Sequence, residues 1–151
     1  MSAPTDRIEI TSAAPTDEAA IRALLREADL PDEDFAVHLA HFLVARAGAT
    51  VVGAVGYERH GAEGLLRSLV VAPAARGGGL GGRLVAELTD RARAAGLRRF
   101  YLLTTTAEAF FRSRGYTRMD RAAVPAAIAA TPEFQGLCPV SAVCLAREIG
   151  V

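Results

Sequence analysis

Apolar positions follow two different spacings along this chain, and each spacing predicts one kind of element. Arg7–Ile10 alternates polar and apolar residues as a half-buried strand does, whereas apolar residues from Leu80 to Ala92 recur at helical spacing. The predicted elements, in chain order, are a strand at 7–10, a helix capped by Thr16 and ending near Leu30, a short helix from Asp32 to Phe42, strands at 42–46, 50–57 and 65–71, a helix from Leu80 ending before Gly96, a strand at 100–103, a helix at 107–114, a helical turn from Pro125 and a last strand at 140–145.

The order of these elements predicts one mixed sheet. The two strands joined at Gly48 favour an antiparallel hairpin, and the strand–helix–strand unit at 65–104 favours parallel pairing. Such a sheet with helices on its faces belongs to the α/β (α+β) class. We expect residues 1–6 to be a loose leader and 7–149 a single domain, because no linker or internal repeat divides the chain.

Composition narrows the class of protein. Of the 151 residues, 51% are apolar, and 17 basic residues balance 17 acidic ones. This balance argues against nucleic acid or an anionic membrane as the partner. We expect no signal peptide, no membrane span and a cytoplasmic location. The two cysteines, Cys138 and Cys144, are too few for a disulfide framework and have no metal-site spacing, so we predict no metal.

A glycine-rich turn is the strongest chemical signal. Five of the 14 glycines lie in 77–82, between a predicted strand and an amphipathic helix. Glycine permits positive φ and close backbone approach, and a helix N-terminus adds unpaired N–H groups. With Arg76 and Arg83 alongside, the turn suits a diphosphate. The phosphate loop of NTPases needs Gly-Lys-Ser/Thr, and these residues do not follow Gly82. A dinucleotide site needs an acidic residue at the end of the next strand, but this chain has three threonines there, at 104–106.

The glycine turn and the strand before it are similar to a third kind of phosphate-binding turn. Leu69-Val70-Val71-Ala72-Pro73-x-x-Arg76-Gly77-x-Gly79-x-Gly81 resembles the acetyl-CoA motif of the GNAT superfamily of N-acetyltransferases. The resemblance implies the GNAT fold, a mostly antiparallel sheet with a central, splayed parallel strand pair, and acetyl-CoA as the cofactor. The residues it implies for cofactor binding are Leu69, Val70, Val71, Arg76, Gly77, Gly78, Gly79, Leu80, Gly81, Gly82, Thr104 and Phe111.

A narrower resemblance concerns the acceptor. The segments 103–116 and 123–142 are similar to acetyltransferases encoded with arsenic-resistance genes, and the Leu-Thr-Thr and Phe-Phe-Arg-x-x-Gly segments are similar to the acetyltransferase domain of N-acetylglutamate synthase. Both resemblances imply a small substrate with an α-amino group, including an arsenic-containing or phosphinic amino-acid analogue.

Acetyl transfer needs a group that takes a proton from the amine and a proton for the leaving thiolate. Glu58, which follows the apolar strand 51–57, is the first choice of base, with a solvated turn residue as the alternative. His41 is a second choice, since it lies in the segment that usually covers the substrate. Phe111 stands where many GNAT members have a tyrosine that acts as the general acid. The proton for the thiolate could therefore come from water, Tyr57 or Tyr101, or the thiolate could leave without a proton donor.

Arg67 interrupts an apolar strand, where an unpaired guanidinium would be costly. A bidentate clamp on the carboxylate of an amino-acid substrate accounts for it. A structural ion pair, with Glu58 itself, is the alternative.

We therefore predict direct acetyl transfer from acetyl-CoA to a small amine, with a homodimer as an option and Glu58, His41 and Arg67 as the catalytic set. The alternatives are a cofactor-binding regulator without catalysis, consistent with Phe111 in the place of the acid, and a protein or peptide N-acetyltransferase.

Overall fold

The computed structural model describes residues 7–150, the side chain of Leu137 excepted; the leader predicted at 1–6 lies outside them. The strands are β1 (Ile8–Ser12), β2 (Phe42–Ala47), β3 (Thr50–His60), β4 (Glu63–Val71), β5 (Arg99–Thr104), β6 (Thr117–Met119) and β7 (Val143–Glu148). The α-helices are α1 (Glu18–Glu27), α2 (Leu80–Ala94), α3 (Glu108–Arg112) and α4 (Ala126–Ala129). Single helical turns are Pro15–Asp17, Pro73–Ala75 and Arg121–Ala123. Phe35–His41 is a seven-residue 3-10 helix, and Glu133–Leu137 is an irregular helical segment. No helix among the described residues is long and apolar enough to cross a membrane.

The strands form one seven-stranded sheet in the order β1-β2-β3-β4-β5-β7-β6. The pair β4–β5 is parallel and the pairs β1–β2, β2–β3, β5–β7 and β6–β7 are antiparallel, which confirms the predicted mixed, mostly antiparallel sheet. The parallel ladder joins only Glu63–Leu65 to Arg99–Tyr101, although β4 continues to Val71 and β5 to Thr104.

The described residues form two compact units. The first comprises the chain up to Tyr57 together with Ser68–Arg91, and the second comprises Glu58–Arg67 with the chain from Ala92 onward. Each has its own apolar cluster. The cluster of the first unit comprises Ile21, Leu25, Phe35, Phe42, Val44, Ala54 and Val70. That of the second comprises Leu65, Tyr101, Val124, Ile128, Cys144 and Ala146.

The start of α1 differs from the prediction. Thr16 does not cap the helix, because the chain makes a tight turn at Pro15–Asp17 first. The Asp17 carboxylate accepts the Ala14 N–H at 2.7 Å and a bidentate pair of bonds from Arg46 at 2.9 and 2.6 Å. The hydrogen bonds from Arg46 lower the pKa of Asp17 despite its burial. This contact ties the turn to β2.

The C-terminal elements also differ. The last strand was predicted at 140–145 but runs over Val143–Glu148, and the short strand β6 was not predicted. The Arg121 guanidinium donates to the carbonyls of Pro139, Val140 and Ala142, which holds this apolar stretch as a turn. Val140 is 94% exposed as a result. β3 is longer than the predicted 50–57 and includes Glu58.

One glycine in β3 is required by close packing. Gly56 pairs with Phe42 across the β2–β3 ladder, and a Cβ at Gly56 would lie 2.2 Å from the Phe42 ring. The ring is fully buried in the first unit, so it has little room to move.

We expect Gly56→Ala to destabilise the protein by about 1–3 kcal/mol, because the added methyl overpacks the core beside Phe42. Thermal denaturation followed by circular dichroism measures the loss. Gly78→Ala is the matched control, since nothing lies within 4 Å of a Cβ there. Equal melting temperatures for the two variants would contradict this account of Gly56.

Candidate functional site

The glycine turn of the first unit joins β4 to α2, as predicted. Gly77 and Gly79 have φ values of +90° and +80°, the left-handed region that favours glycine. α2 begins directly afterwards at Leu80 and is 15 residues long. Its first N–H groups therefore lie next to the turn, at the positive end of a long helix dipole.

The space above this turn is open. A Cβ built on Gly77, Gly78 or Gly79 would meet no atom within 4 Å, and all three residues are exposed. Packing within the protein therefore does not explain glycine at Gly78, whose φ lies outside the left-handed region. An open glycine backbone at a helix N-terminus fits a diphosphate, which needs several N–H donors at close range.

The two arginines that flank the turn are anchored to the backbone. The Nε of Arg76 donates to the carbonyl of Val71 at 3.0 Å, and an Nη of Arg83 donates to the carbonyl of Ile8 at 3.2 Å. Both residues are exposed. Their charges therefore stand beside the turn at fixed places. Gly81 and Gly82 are half-buried in the first turn of α2, and the Leu80 side chain is buried in the core.

β4 has an irregularity that sequence reasoning missed. Ser68 has a φ of +62°, which is rare for a residue with a side chain and interrupts the regular extended backbone. It directly precedes the predicted pantetheine-binding residues Leu69, Val70 and Val71. The Val70 side chain is 5% exposed in the core, whereas Leu69 and Val71 are half-buried. A serine inside an apolar strand was the only available signal for the irregularity.

The second unit contains a buried charged cluster. The Nη1 of Arg67 donates to Glu58 Oε2 at 2.8 Å, and the Nε of Arg67 lies 3.2 Å from Glu133 Oε2. The side chains of Arg67, Glu58 and Glu133 are 0%, 2% and 6% exposed. His60 Nε2 lies 3.5 Å from the other oxygen of Glu58. We call Glu58, Arg67 and Glu133 the carboxylate–guanidinium cluster.

This cluster changes two of the predictions. Glu58 is not a solvated turn residue, because it lies inside β3 and its carboxylate is buried. The structural ion pair offered as the alternative for Arg67 is present, with Glu58 as its partner. Glu133 was missed altogether, because no sequence spacing connects a residue of the 120–142 segment with β4. Whether Arg67 also clamps a substrate carboxylate stays a prediction.

His41 ends the helical turn Phe35–His41 of the first unit, close to the predicted short helix. Its imidazole stacks on the Tyr57 ring, with centroids 4.7 Å apart and planes 21° apart. His41 is half-buried and Tyr57 is 4% exposed. The stacking fixes the imidazole, and its predicted part in proton transfer stays a prediction.

Two predicted cofactor residues of the second unit have local structural roles. Thr104 Oγ1 accepts the N–H groups of Thr106 and Ala107 at 3.3 and 3.0 Å, which leads the chain into α3. Phe111 is 4% exposed and packs edge-on against Phe110 and Tyr116. Their contact with a cofactor stays a prediction.

Of the two tyrosines of the second unit, Tyr101 is one of the acids left open above, and Tyr116 is a neighbour of Phe111 that was not suggested. The Tyr101 hydroxyl accepts from Arg99 and donates to Glu63, both at 3.3 Å, and burial raises its pKa. Burial also raises the pKa of Tyr116, which packs on Phe111. Raised values make both hydroxyls weak acids, so neither is favoured as the proton donor.

Both cysteines are free thiols. Burial raises the pKa of Cys138 to about 12 and that of Cys144 to about 11. Both are therefore protonated near neutral pH and poor nucleophiles. This state agrees with direct transfer and argues against an acylated cysteine.

Known proteins resemble this chain in sequence and fold. A family model described as an acetyltransferase (GNAT) domain matches residues 38–118. The IAA acetyltransferase of Azospirillum brasilense is 42% identical over 81 residues, which are 50% of this chain and 53% of that protein. The amino-acid acetyltransferase of Pseudomonas aeruginosa is 36% identical over 94 residues, which are 62% of this chain and 22% of that protein. The chain thus spans about half the length of the first relative and less than a quarter of the second.

Among solved structures, N-acetylglutamate synthase from Neisseria gonorrhoeae, complexed with coenzyme A and N-acetyl-glutamate, matches with a TM-score of 0.83. The match covers 95% of this chain and 35% of that chain at 24% identity, and so shows the fold. The predicted likeness to N-acetylglutamate synthase is confirmed. Because the family model matches more than half of its residues, the chain belongs to the GNAT family of acetyltransferases.

Proposed function

We propose that this protein is an acetyl-CoA-dependent N-acetyltransferase that acts directly on the amino group of a small amino-acid-like substrate. The observation that carries the proposal is the open glycine turn 77–79 at the start of α2. It offers backbone donors and a helix N-terminus to the diphosphate of coenzyme A. The relatives named as acetyltransferases of amino acids support this class of acceptor.

The residues proposed for cofactor binding are those of the turn and the adjoining strand. Gly77–Gly82 and Arg76 would hold the diphosphate, and the backbone of Leu69–Val71 would pair with the pantetheine arm. Thr104 and Phe111 are proposed as further contacts. Acetyl-CoA supplies the thioester whose carbonyl carbon the amine attacks.

Glu58 is proposed as the general base. A carboxylate can accept a proton from an amine, directly or through a water molecule. In the proposed reaction Glu58 takes the proton of the acceptor amine, the new N–C bond forms and the C–S bond breaks. The thiolate then takes a proton from water, and Glu58 gives its proton to the resulting hydroxide, which regenerates the carboxylate. His41 is proposed as a secondary participant. Arg67 is proposed to bind the carboxylate of the acceptor and to orient Glu58.

We further propose that the acceptors include arsenic-containing or phosphinic amino-acid analogues and that the protein acts in the cytoplasm.

Free thiol released from acetyl-CoA should be measured with each candidate acceptor: L-amino acids, their carboxamides, amino-phosphinic and arsenic analogues, and peptides. We expect turnover on amino-acid-like acceptors, with the N-acetyl product identified by mass spectrometry. Coenzyme A binding without turnover would favour the regulatory alternative, and turnover on peptides alone would favour a peptide acetyltransferase.

Gly78→Val should weaken acetyl-CoA binding by roughly tenfold or more, because a side chain fills the space where the diphosphate would lie. The fold should be unaffected, since no atom of residues 7–150 lies within 4 Å of this Cβ. Calorimetric titration with coenzyme A measures the affinity, and the melting temperature reports the fold. Unchanged affinity would overturn the assignment of the turn.

Glu58→Gln should lower kcat by roughly 10²–10⁴-fold, the usual contribution of a general base, with the KM for acetyl-CoA unchanged. Glu148→Gln is the matched control, because Glu148 is an ion-paired carboxylate of the same unit that is 67% exposed. Initial rates and melting temperatures are measured together. A kcat as high as that of the Glu148 variant would exclude Glu58 as the base.

A further inference from the structure

The two carboxylates of the carboxylate–guanidinium cluster hold Arg67 unequally. The contact with Glu58 is 2.8 Å long, within the usual range for a charge-assisted hydrogen bond, whereas the contact with Glu133 is 3.2 Å long. At these two contacts Glu133 is the more distant partner of Arg67.

The two carboxylates also differ in how the chain supports them. Glu58 lies within the 11-residue strand β3. Glu133 begins the irregular segment Glu133–Leu137, in which Gly136 has a non-helical φ of +152°. Its Oε1 accepts a weak bond from the Cys138 thiol, 3.7 Å long. Moving Glu133 would disturb one short helical turn, while moving Glu58 would disturb the sheet.

The balance of charge around Arg67 makes the binding of a substrate carboxylate depend on the position of Glu133. The cluster already has two carboxylates for one guanidinium, and the Arg67 side chain is 0% exposed. A third carboxylate added to this buried place would be opposed by strong repulsion at low dielectric. A substrate carboxylate can therefore join Arg67 only as Glu133 leaves it.

We propose that Glu133 occupies the position on Arg67 that the carboxylate of the acceptor takes, and so selects acceptors that have a carboxylate. The inference rests on the proposed function and deepens it, because it names a specificity-determining residue. An acceptor with a carboxylate replaces like with like and restores the ion pair. An amine without one leaves Glu133 in place and gains nothing from Arg67.

Glu133→Gln tests this exchange, because the amide retains the shape of the side chain and loses its charge. The KM for the best amino-acid acceptor should fall about fivefold, the factor for weakening a charge-assisted bond to a neutral one. The KM for the corresponding carboxamide should not change. Glu148→Gln, an exposed ion-paired carboxylate, should change neither value. A purely structural role for Glu133 would instead raise KM or leave it unchanged for both acceptors.

Binding of L-glutamate without acetyl-CoA, measured by calorimetry, gives a readout that does not depend on turnover. Binding to the Glu133→Gln variant about fivefold tighter than to the wild type would support the exchange, with L-glutamic acid diamide as the uncharged control. Equal or weaker binding, or an equal gain for the diamide, would overturn it. If the wild type acetylates amino acids and the KM does not fall, only the role of Glu133 fails; absence of acetylation on every acceptor refutes the proposed function instead.

Discussion

The buried guanidinium of Arg67 is the constraint on which the acceptor chemistry proposed for this protein depends. A buried cation in a strand is strongly destabilising unless it is paired with carboxylates. Here Arg67 is paired with Glu58 from β3 and with Glu133 from a later segment. The same contacts give the Glu58 carboxylate a fixed orientation. One ion pair thus connects the stability of the second unit with the proton transfer proposed for it.

The first unit contributes a different kind of site, one made of backbone. Glycines at 77–79 leave open space at the start of α2, and Ser68 introduces a left-handed residue into the strand that leads to it. The three glycines do not serve packing, because a Cβ at each would meet no atom of the described residues within 4 Å. A site made of backbone groups suits a cofactor that all members of the family share. The charged side chains of the carboxylate–guanidinium cluster suit an acceptor that differs from one member to another.

Sequence reasoning reached the backbone site more fully than the charged one. The glycine turn, the parallel pair and the helix α2 depend on local patterns, so they could be predicted from adjacent residues. The pairing of Arg67 with Glu133 joins residues far apart in sequence, and no period or motif connects them. The late start of β7 depends likewise on Arg121 bonding to the carbonyls of a distant turn. Local signals specified the elements, whereas long-range polar contacts set their limits and the surroundings of Arg67.

The central claim is that the glycine turn holds the diphosphate of acetyl-CoA. Amide chemical shifts of Gly77, Gly78 and Gly79, followed by NMR during titration with coenzyme A and with pantetheine, test it most directly. If the turn binds the diphosphate, these three amide signals shift strongly with coenzyme A and only slightly with pantetheine, which lacks the diphosphate. Saturable binding of coenzyme A that leaves these amides unmoved would contradict the claim.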